Sequence, residues 1–254
     1  QLRPHVPGAF PVLPVAARPV TTRSDLPPVG TEALDSRSLD ASVARTTLTD
    51  LALTNTLFGG RAAVLSGVQR LLEHAPSDHT FSVLDVGAGM GDVVSYIVRR
   101  SSGRHPTLLP ITLDHHRTAA RLCADLGLRA VVADTRALPF ADRSIDIVVA
   151  SLLLHHFTRA AAVHLVQELD RVARWGVVVA DLRRSGVAAA SLWVASFALR
   201  FHPATRHDGV VSIKRGFTRG ELAQLLARAG AAATVRHRPW WRLVATWRTP
   251  YADS

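Results

Sequence analysis

The sequence predicts an α/β chain built on a doubly wound, largely parallel sheet. Three observations carry that expectation. A β-prone run, Phe81 to Val86, enters a glycine-dense turn, Gly87-Ala-Gly-Met-Gly91, and leaves it through Val93, Val94, Ile97 and Val98 at helical spacing. Strand-like runs then recur, and three of them end in acids, at Asp114, Asp134 and Asp181. Helical patterns separate the strands, from His115 to Leu126 and from Ala161 to Val172. That alternation is what the crossovers of a parallel sheet require.

Each element has its own warrant. Gly87, Gly89 and Gly91 lack Cβ, so the backbone can turn sharply and lie against a ligand. The third glycine of a dinucleotide fingerprint would stand at position 92, where Asp92 is found, which argues against a nicotinamide-dependent oxidoreductase. Leu108 to Asp114 reads as a second strand whose terminal carboxylate can accept two ribose hydroxyls or cap the next helix. Arg129 to Asp134 is a third, placing an acceptor beside Thr135 for an exocyclic adenine amine. Ser144 to Ser151 is almost continuously apolar, as a central parallel strand should be, and delivers Leu152-Leu-Leu-His-His-Phe157 to the carboxyl edge. Gly176 to Asp181 is the fifth strand. Ligands of open α/β sheets bind at that edge.

The flanks read differently. Residues 1–30 hold seven of the fourteen prolines, so an extended, disordered tail is expected there. Residues 31–76 carry two helical patterns broken at Gly59-Gly60 and are expected to form a lid with Asn55 and Phe58 near the cleft. Residues 77–254 form the sheet domain, with a substrate-side helical insertion at about 183–216. Within it, Val187 to Leu199 reads as a buried helix whose aromatic side lines a pocket, and Arg206-His-Asp-Gly209 as a polar turn. Phe217 to Gly230 is a helix with Thr218 and Glu221 spaced for a capping box, and Ala232 to Trp247 a closing hairpin around Pro239.

Composition narrows the class. Cys123 is the only cysteine, so no internal disulfide forms, and a reducing cytoplasm is expected. No apolar run is long enough to cross a bilayer, and the signal-peptide pattern is absent, so no stable membrane insertion is expected. The formal charge of +10 comes from scattered arginines with Lys214 the only lysine, and no basic run is interleaved with aromatics. No nucleic-acid partner is expected. A homodimer is compatible with the pattern.

Taken together, Leu84-Asp-Val-Gly-Ala-Gly-Met-Gly91, Asp114, Asp134 and the strand from Ile145 to Leu152 resemble a class I S-adenosylmethionine-dependent methyltransferase. Leu57-Phe-Gly-Gly60, Leu154-His-His-Phe157, Asp181-Leu-Arg-Arg-Ser185 and Arg206-His-Asp-Gly209 are similar to ubiquinone/menaquinone-type and small-molecule O-methyltransferases of bacterial biosynthetic clusters. The resemblance implies a Rossmann-like seven-stranded sheet whose last strand is antiparallel, and S-adenosyl-L-methionine as cofactor. It also implies that Gly87, Ala88 and Gly89 take the methionine part, with Asp85 supporting the turn, Asp114 the ribose and Asp134 the adenine amine. His115, Thr135 and Ser151 border these positions.

Methyl transfer to oxygen requires an aligned acceptor and removal of its proton. His155 or His156 leaves strand four and Asp181 leaves strand five at one sheet edge, which suits an imidazole base oriented by a carboxylate. The expected acceptor is a small, largely apolar hydroxylated molecule such as a phenol, hydroxyquinone or polyketide. Asn55, Phe58, Trp193, Phe197 and His207 are the expected acceptor contacts, with Phe201 in the same aromatic wall. The histidines lack metal-ligand spacing beyond adjacent pairs, so no metal site is expected. A C- or N-methyltransferase on a small molecule, or a cofactor-bound non-methylating enzyme, remains an alternative.

Overall fold

The computed structural model describes residues 13–14, 32, 40–73, 75–103 and 106–250. Apart from Leu13 and Pro14, the expected N-terminal tail lies outside them. Those two residues form β1 (Leu13–Pro14), which pairs in parallel with the sheet edge at Val131 and Val132. A proline is tolerated at an edge because it need not donate there.

The chain then runs α1 (Ala41–Leu57), α2 (Gly60–Leu71), β2 (Thr80–Val86), α3 (Asp92–Ser101), β3 (Thr107–Asp114), α4 (Arg117–Asp125), β4 (Arg129–Val132) and β5 (Ile145–Ser151). It continues through α5 (Arg159–Val172), β6 (Ala173–Leu182), α6 (Gly186–Ala198), α7 (Pro203–Arg215), α8 (Arg219–Arg228), β7 (Thr234–Arg238) and β8 (Arg242–Arg248). The strand order is β1-β4-β3-β2-β5-β6-β8-β7. All neighbours are parallel except β8, which runs antiparallel to both β6 and β7. The seven-stranded sheet with its last strand antiparallel is therefore present, with the short β1 added at one edge. The chain winds outward from β2 to β4, then returns to the other side of β2 with β5. The crevice beyond the carboxyl ends of β2 and β5 is the switch point.

Strand alternation divides the core between two sheet faces. Leu84 and Val86 of β2, Val177 and Val179 of β6, and Leu243 and Ala245 of β8 face α5 and α8. Phe81 and Val83, Val178 and Ala180, and Val244 face α2, α3 and α4. Helix α2 is seated directly on the sheet: a Cβ on Gly67 would stand 2.5 Å from Val178 Cγ1, so only glycine lets the helix approach this closely. Thr218 and Glu221 form the expected reciprocal capping box of α8.

Two local expectations are corrected. Arg206 to Gly209 is no turn but the interior of α7, which starts with Pro203 in its first turn and His202 as N-cap. Gly209 is tolerated there because a Cβ would stand 2.8 Å from Leu192 on α6. Helix α6 is not buried: Ala188, Ala189 and Ser196 are, but Val187, Trp193, Val194 and Phe197 are at least half exposed.

Candidate active site

Two cavities meet beyond the carboxyl ends of the strands. The first is a cleft built by the turn after β2 (Gly87 to Met90), the ends of β3 and β4 (Asp114 to His116, Asp134, Thr135) and the end of β5 (Ser151 to Leu153). The second lies under α6 and α7 and is lined by Phe58, His155, Leu192, Phe201, Trp240 and Arg242 among others. Leu51, Leu152 and His156 line both. Leu152 takes a left-handed conformation (φ 54°) at this junction, strain for a non-glycine residue of the kind that gathers at functional sites.

Helix α1 covers both. Leu48, Leu51 and Asn55 face the cleft, while Thr47, Leu51, Thr54 and Phe58 face the second cavity. Asp50 ties α1 to α7 by accepting from His202 N at 2.9 Å and Thr205 Oγ1 at 2.8 Å. Of the two N-terminal helices, α1 stands over the cleft and α2 packs on the sheet.

The cleft is rich in acceptors. Asp114 is buried and accepts from Gly89 N at 3.0 Å and His116 N at 2.8 Å, bracing the glycine turn against the start of α4. Gly87 and Gly89 have φ of 72° and 56°, the region that favours glycine. Neither carboxylate oxygen of Asp85 makes a close hydrogen bond, and burial, with Asp92 and Asp114 nearby, outweighs the Val94 backbone N–H and holds its carboxyl well above the ordinary range. Asp134 is taken up more than expected: Oδ1 accepts from the Arg136 backbone N–H at 3.0 Å and from Arg136 Nε at 3.1 Å, and Oδ2 from Arg136 Nη2 at 2.8 Å. His115 borders the cleft, and His116 joins it unanticipated. Its Nδ1 accepts from Thr118 N at 3.3 Å, leaving Nε2 buried without a partner. Burial lowers its pKa, outweighing the pull of Asp114.

The second cavity holds the dyad. His155 Nδ1 lies 2.6 Å from Asp181 Oδ1, and both side chains are buried. Asp181 Oδ1 also accepts from Leu182 N at 2.7 Å, and Oδ2 from His155 N at 3.3 Å. Burial pushes the Asp181 carboxyl up, but the His155 charge and hydrogen bond, with lesser help from Leu182 and His156, hold it below the ordinary range. A carboxylate only accepts, so Nδ1 carries a proton, and in the neutral ring the lone pair is on Nε2. That Nε2 is buried without a hydrogen-bond partner and borders the cavity.

Glu32 gave no signal in the sequence, yet it reaches the dyad. Its Oε1 lies 3.1 Å from Arg215 Nη1 and 3.8 Å from His155 Nε2, and its Oε2 lies 3.7 Å from His156 Nε2. Glu32, His155 and His156 each offer a ligand atom within 4.8 Å of the others. Arg215 already neutralises that carboxylate, so Glu32 and Arg215 form a buried charge pair beside the two imidazoles. Only the fold joins Glu32 to α7.

The expected acceptor contacts divide. Phe58 lines the second cavity, and Asn55 the cleft, where its Oδ1 is buried without a partner. Trp193, Phe197 and His207 border neither cavity. On α6 the inward stripe is Ala188, Leu192 and Ser196, four residues apart. Trp193 and Phe197 follow by one residue, about 100° further round the helix. They meet edge to face with centroids 4.9 Å apart, and the Arg206 guanidinium lies over the Phe197 ring. His207 points outward from α7. The aromatic wall consists instead of Phe58, Phe201, Trp240 and Trp241, the tryptophans held in left-handed conformations by the β7–β8 turn.

Comparison with known proteins agrees with this architecture. The family model described as a methyltransferase domain matches residues 83–176. Residues 83–176 are thus similar to a methyltransferase domain, and the sheet has the architecture of the class I S-adenosylmethionine-dependent methyltransferases. The ubiquinone/menaquinone biosynthesis C-methyltransferase UbiE of Roseobacter denitrificans is 32% identical over 120 residues, covering 43% of this chain and 47% of that protein. The chain thus spans about half the length of the curated relative it matches. Among solved structures, a SAM-dependent methyltransferase from Aquifex aeolicus superposes with a TM-score of 0.55 at 16% identity, covering 82% of this chain and 98% of that one. Human N-acetylserotonin methyltransferase in complex with SAM gives 0.59 at 12%, covering 83% and 56%. An O-methyltransferase family protein from Burkholderia thailandensis gives 0.57 at 17%, covering 86% and 63%. At these identities the structural likeness speaks for the fold.

S-adenosylmethionine is the cofactor of this domain family, and the methyltransferase cleft has the chemistry to hold it. The cofactor presents donors, and the cleft presents carboxylates and unpartnered buried acceptors at Asn55 and Asp85.

Proposed function

We propose that the protein is an O-methyltransferase acting on a small, largely apolar hydroxylated acceptor such as a phenol, hydroxyquinone or aromatic polyketide. The carrying observation is the His155–Asp181 dyad, with its Nε2 unpartnered in a mostly apolar cavity that adjoins the cofactor cleft. Bound in that cleft, S-adenosylmethionine supplies an electrophilic methyl group on a sulfonium. On this reading Gly87, Ala88 and Gly89 seat the methionine part, and Asp114 accepts from the ribose. Asp134, braced by Arg136, borders the adenine with Thr135 and His115, and Ser151 closes the β5 side.

The protein's own residues act on the acceptor. His155 Nε2 would take the proton of the acceptor hydroxyl, leaving that oxygen the electron pair with which to accept the methyl group the cofactor would supply. Asp181 fixes the imidazole tautomer and stabilises the imidazolium. His156, at the junction of the cavities, and Leu152 position the acceptor, while α1 excludes water from both sides.

A second reading follows from the UbiE relative, whose name specifies C-methylation. The same base would generate a phenolate that attacks through a ring carbon. Mass spectrometry and NMR of products from a panel of phenols and hydroxyquinones separate the two. A methoxy signal supports the proposal, a ring methyl supports the alternative, and product undiminished in both His155→Ala and Asp181→Ala removes the dyad from either.

A further inference from the structure

Among the described residues, eight buried side-chain polar atoms lack a hydrogen-bond partner, and seven belong to residues lining the two adjoining cavities. The catalytic reading uses His155 Nε2 but leaves two atoms of the acceptor cavity unexplained, Arg242 Nη1 and Thr47 Oγ1. We propose that Arg242 holds a second, acidic oxygen of the acceptor, so that the preferred substrate is an arene or enolised diketone with two ionisable oxygens. This rests on the assignment of the second cavity to the acceptor.

Arg242 opens β8 beside Leu182 and is 3% exposed. Among the described residues its side chain makes one long hydrogen bond, Nε to the Phe58 carbonyl at 3.4 Å. Asp181 attracts it electrostatically, but that carboxylate already receives His155 Nδ1, His155 N and Leu182 N. Burial lowers the guanidinium to about 10, which leaves it cationic at neutral pH. A buried cation with an unused donor, in a cavity whose walls include Phe58, Leu182 and Phe201, is costly unless a ligand completes it. Arg242 does not line the cofactor cleft, so the methionine carboxylate is not its expected partner.

Thr47 is a separate open group of the same cavity, about three turns of α1 away from the Phe58 carbonyl that Arg242 contacts. Helix α1 carries four other threonines, Thr46, Thr49, Thr54 and Thr56, and each hydroxyl donates to the carbonyl four residues earlier. Thr47 does not, is 2% exposed, and lines the cavity. Its hydroxyl is thus available to a ligand. A guanidinium favours an oxygen that is anionic or readily polarised, whereas a lone hydroxyl already serves His155.

The test compares 3-pentylphenol with 5-pentylresorcinol, which differ by one ring hydroxyl. Binding is read by tryptophan fluorescence in the presence of S-adenosylhomocysteine, independently of turnover. The wild type should bind the resorcinol about tenfold or more tightly, and Arg242→Met should bring that ratio toward one while the remote, near-isosteric Thr47→Val keeps it and S-adenosylhomocysteine affinity stays within about twofold. A wild-type ratio near one, binding of neither phenol, or a ratio unchanged in Arg242→Met would overturn the proposal. If Arg242→Met does not fold, the wild-type ratio and Arg242→Gln decide. A preserved Arg242-dependent ratio without methyl transfer would sink the O-methylation reading alone.

Discussion

The two cavities solve opposite problems. The cofactor cleft is polar, drawn mainly from the sequence between Asp85 and Phe157, and much of it is backbone and carboxylate held at strand ends. The acceptor cavity is mostly apolar, gathers residues from Glu32 to Arg242, and confines its charges to the buried groups Glu32–Arg215, His155–Asp181, Asp208 and Arg242. A cleft for one invariant ligand can be written into a local strand–turn–helix unit. A cavity for a variable acceptor is assembled by docking α1, α6, α7 and the β7–β8 turn around the strand ends. The comparison teaches that binding of the cofactor and processing of the acceptor should be separable by mutation.

The largest separation is expected at the dyad. Asp181→Asn keeps the shape but permits the wrong imidazole tautomer, and should lower kcat by about 10²- to 10⁴-fold with cofactor affinity little changed. Steady-state kinetics beside S-adenosylhomocysteine titration checks this, and a parallel loss of both would break the comparison. On the other side, Asp114→Ala removes the acceptor of the Gly89 and His116 backbone N–H groups and should weaken cofactor binding by about ten- to a hundredfold. The phenol-to-resorcinol binding ratio should persist.

Asp85→Asn sharpens the contrast through stability. The native carboxyl has a raised pKa, so between the unfolded and folded values the native state binds more protons and stability falls as pH rises. Removing the buried, unpartnered charge should therefore stabilise the cofactor-free protein by about 1–3 kcal/mol at neutral pH. The gain should shrink towards acid, below the ordinary carboxylate range, while cofactor affinity drops. Urea unfolding across pH reads this, and a gain growing towards acid would contradict it. The smallest effect is expected at Trp193→Ala and Phe197→Ala, whose rings stand outside both cavities. Each should leave KM within about twofold and stability within about 0.5 kcal/mol, as for other surface substitutions.

How much of this was legible depended on range. Gly87, Gly89, Asp85 and Asp114 were readable because one strand–turn–helix unit and its neighbouring strand impose their positions. His155 and Asp181 were readable as a pair because β5 and β6 are adjacent and parallel, so their carboxyl ends coincide. His116, one residue from the expected His115, was missed because the α4 cap turns its ring into the cleft. Trp193 and Phe197 misled because aromatic composition says which helix is apolar, not which of its faces turns inward.

The amino-acid sequence by itself determined the doubly wound order, the glycine turn and the acids at strand ends, since periodicity and turn chemistry act over a few residues. Only the tertiary structure decided that α1 rather than α2 covers the cleft, that Glu32 meets Arg215 beside the histidines, and that Thr47 and Arg242 face one cavity without partners. The reason is physical: these groups are far apart in the chain, and helix docking on the sheet decides which of their atoms find partners.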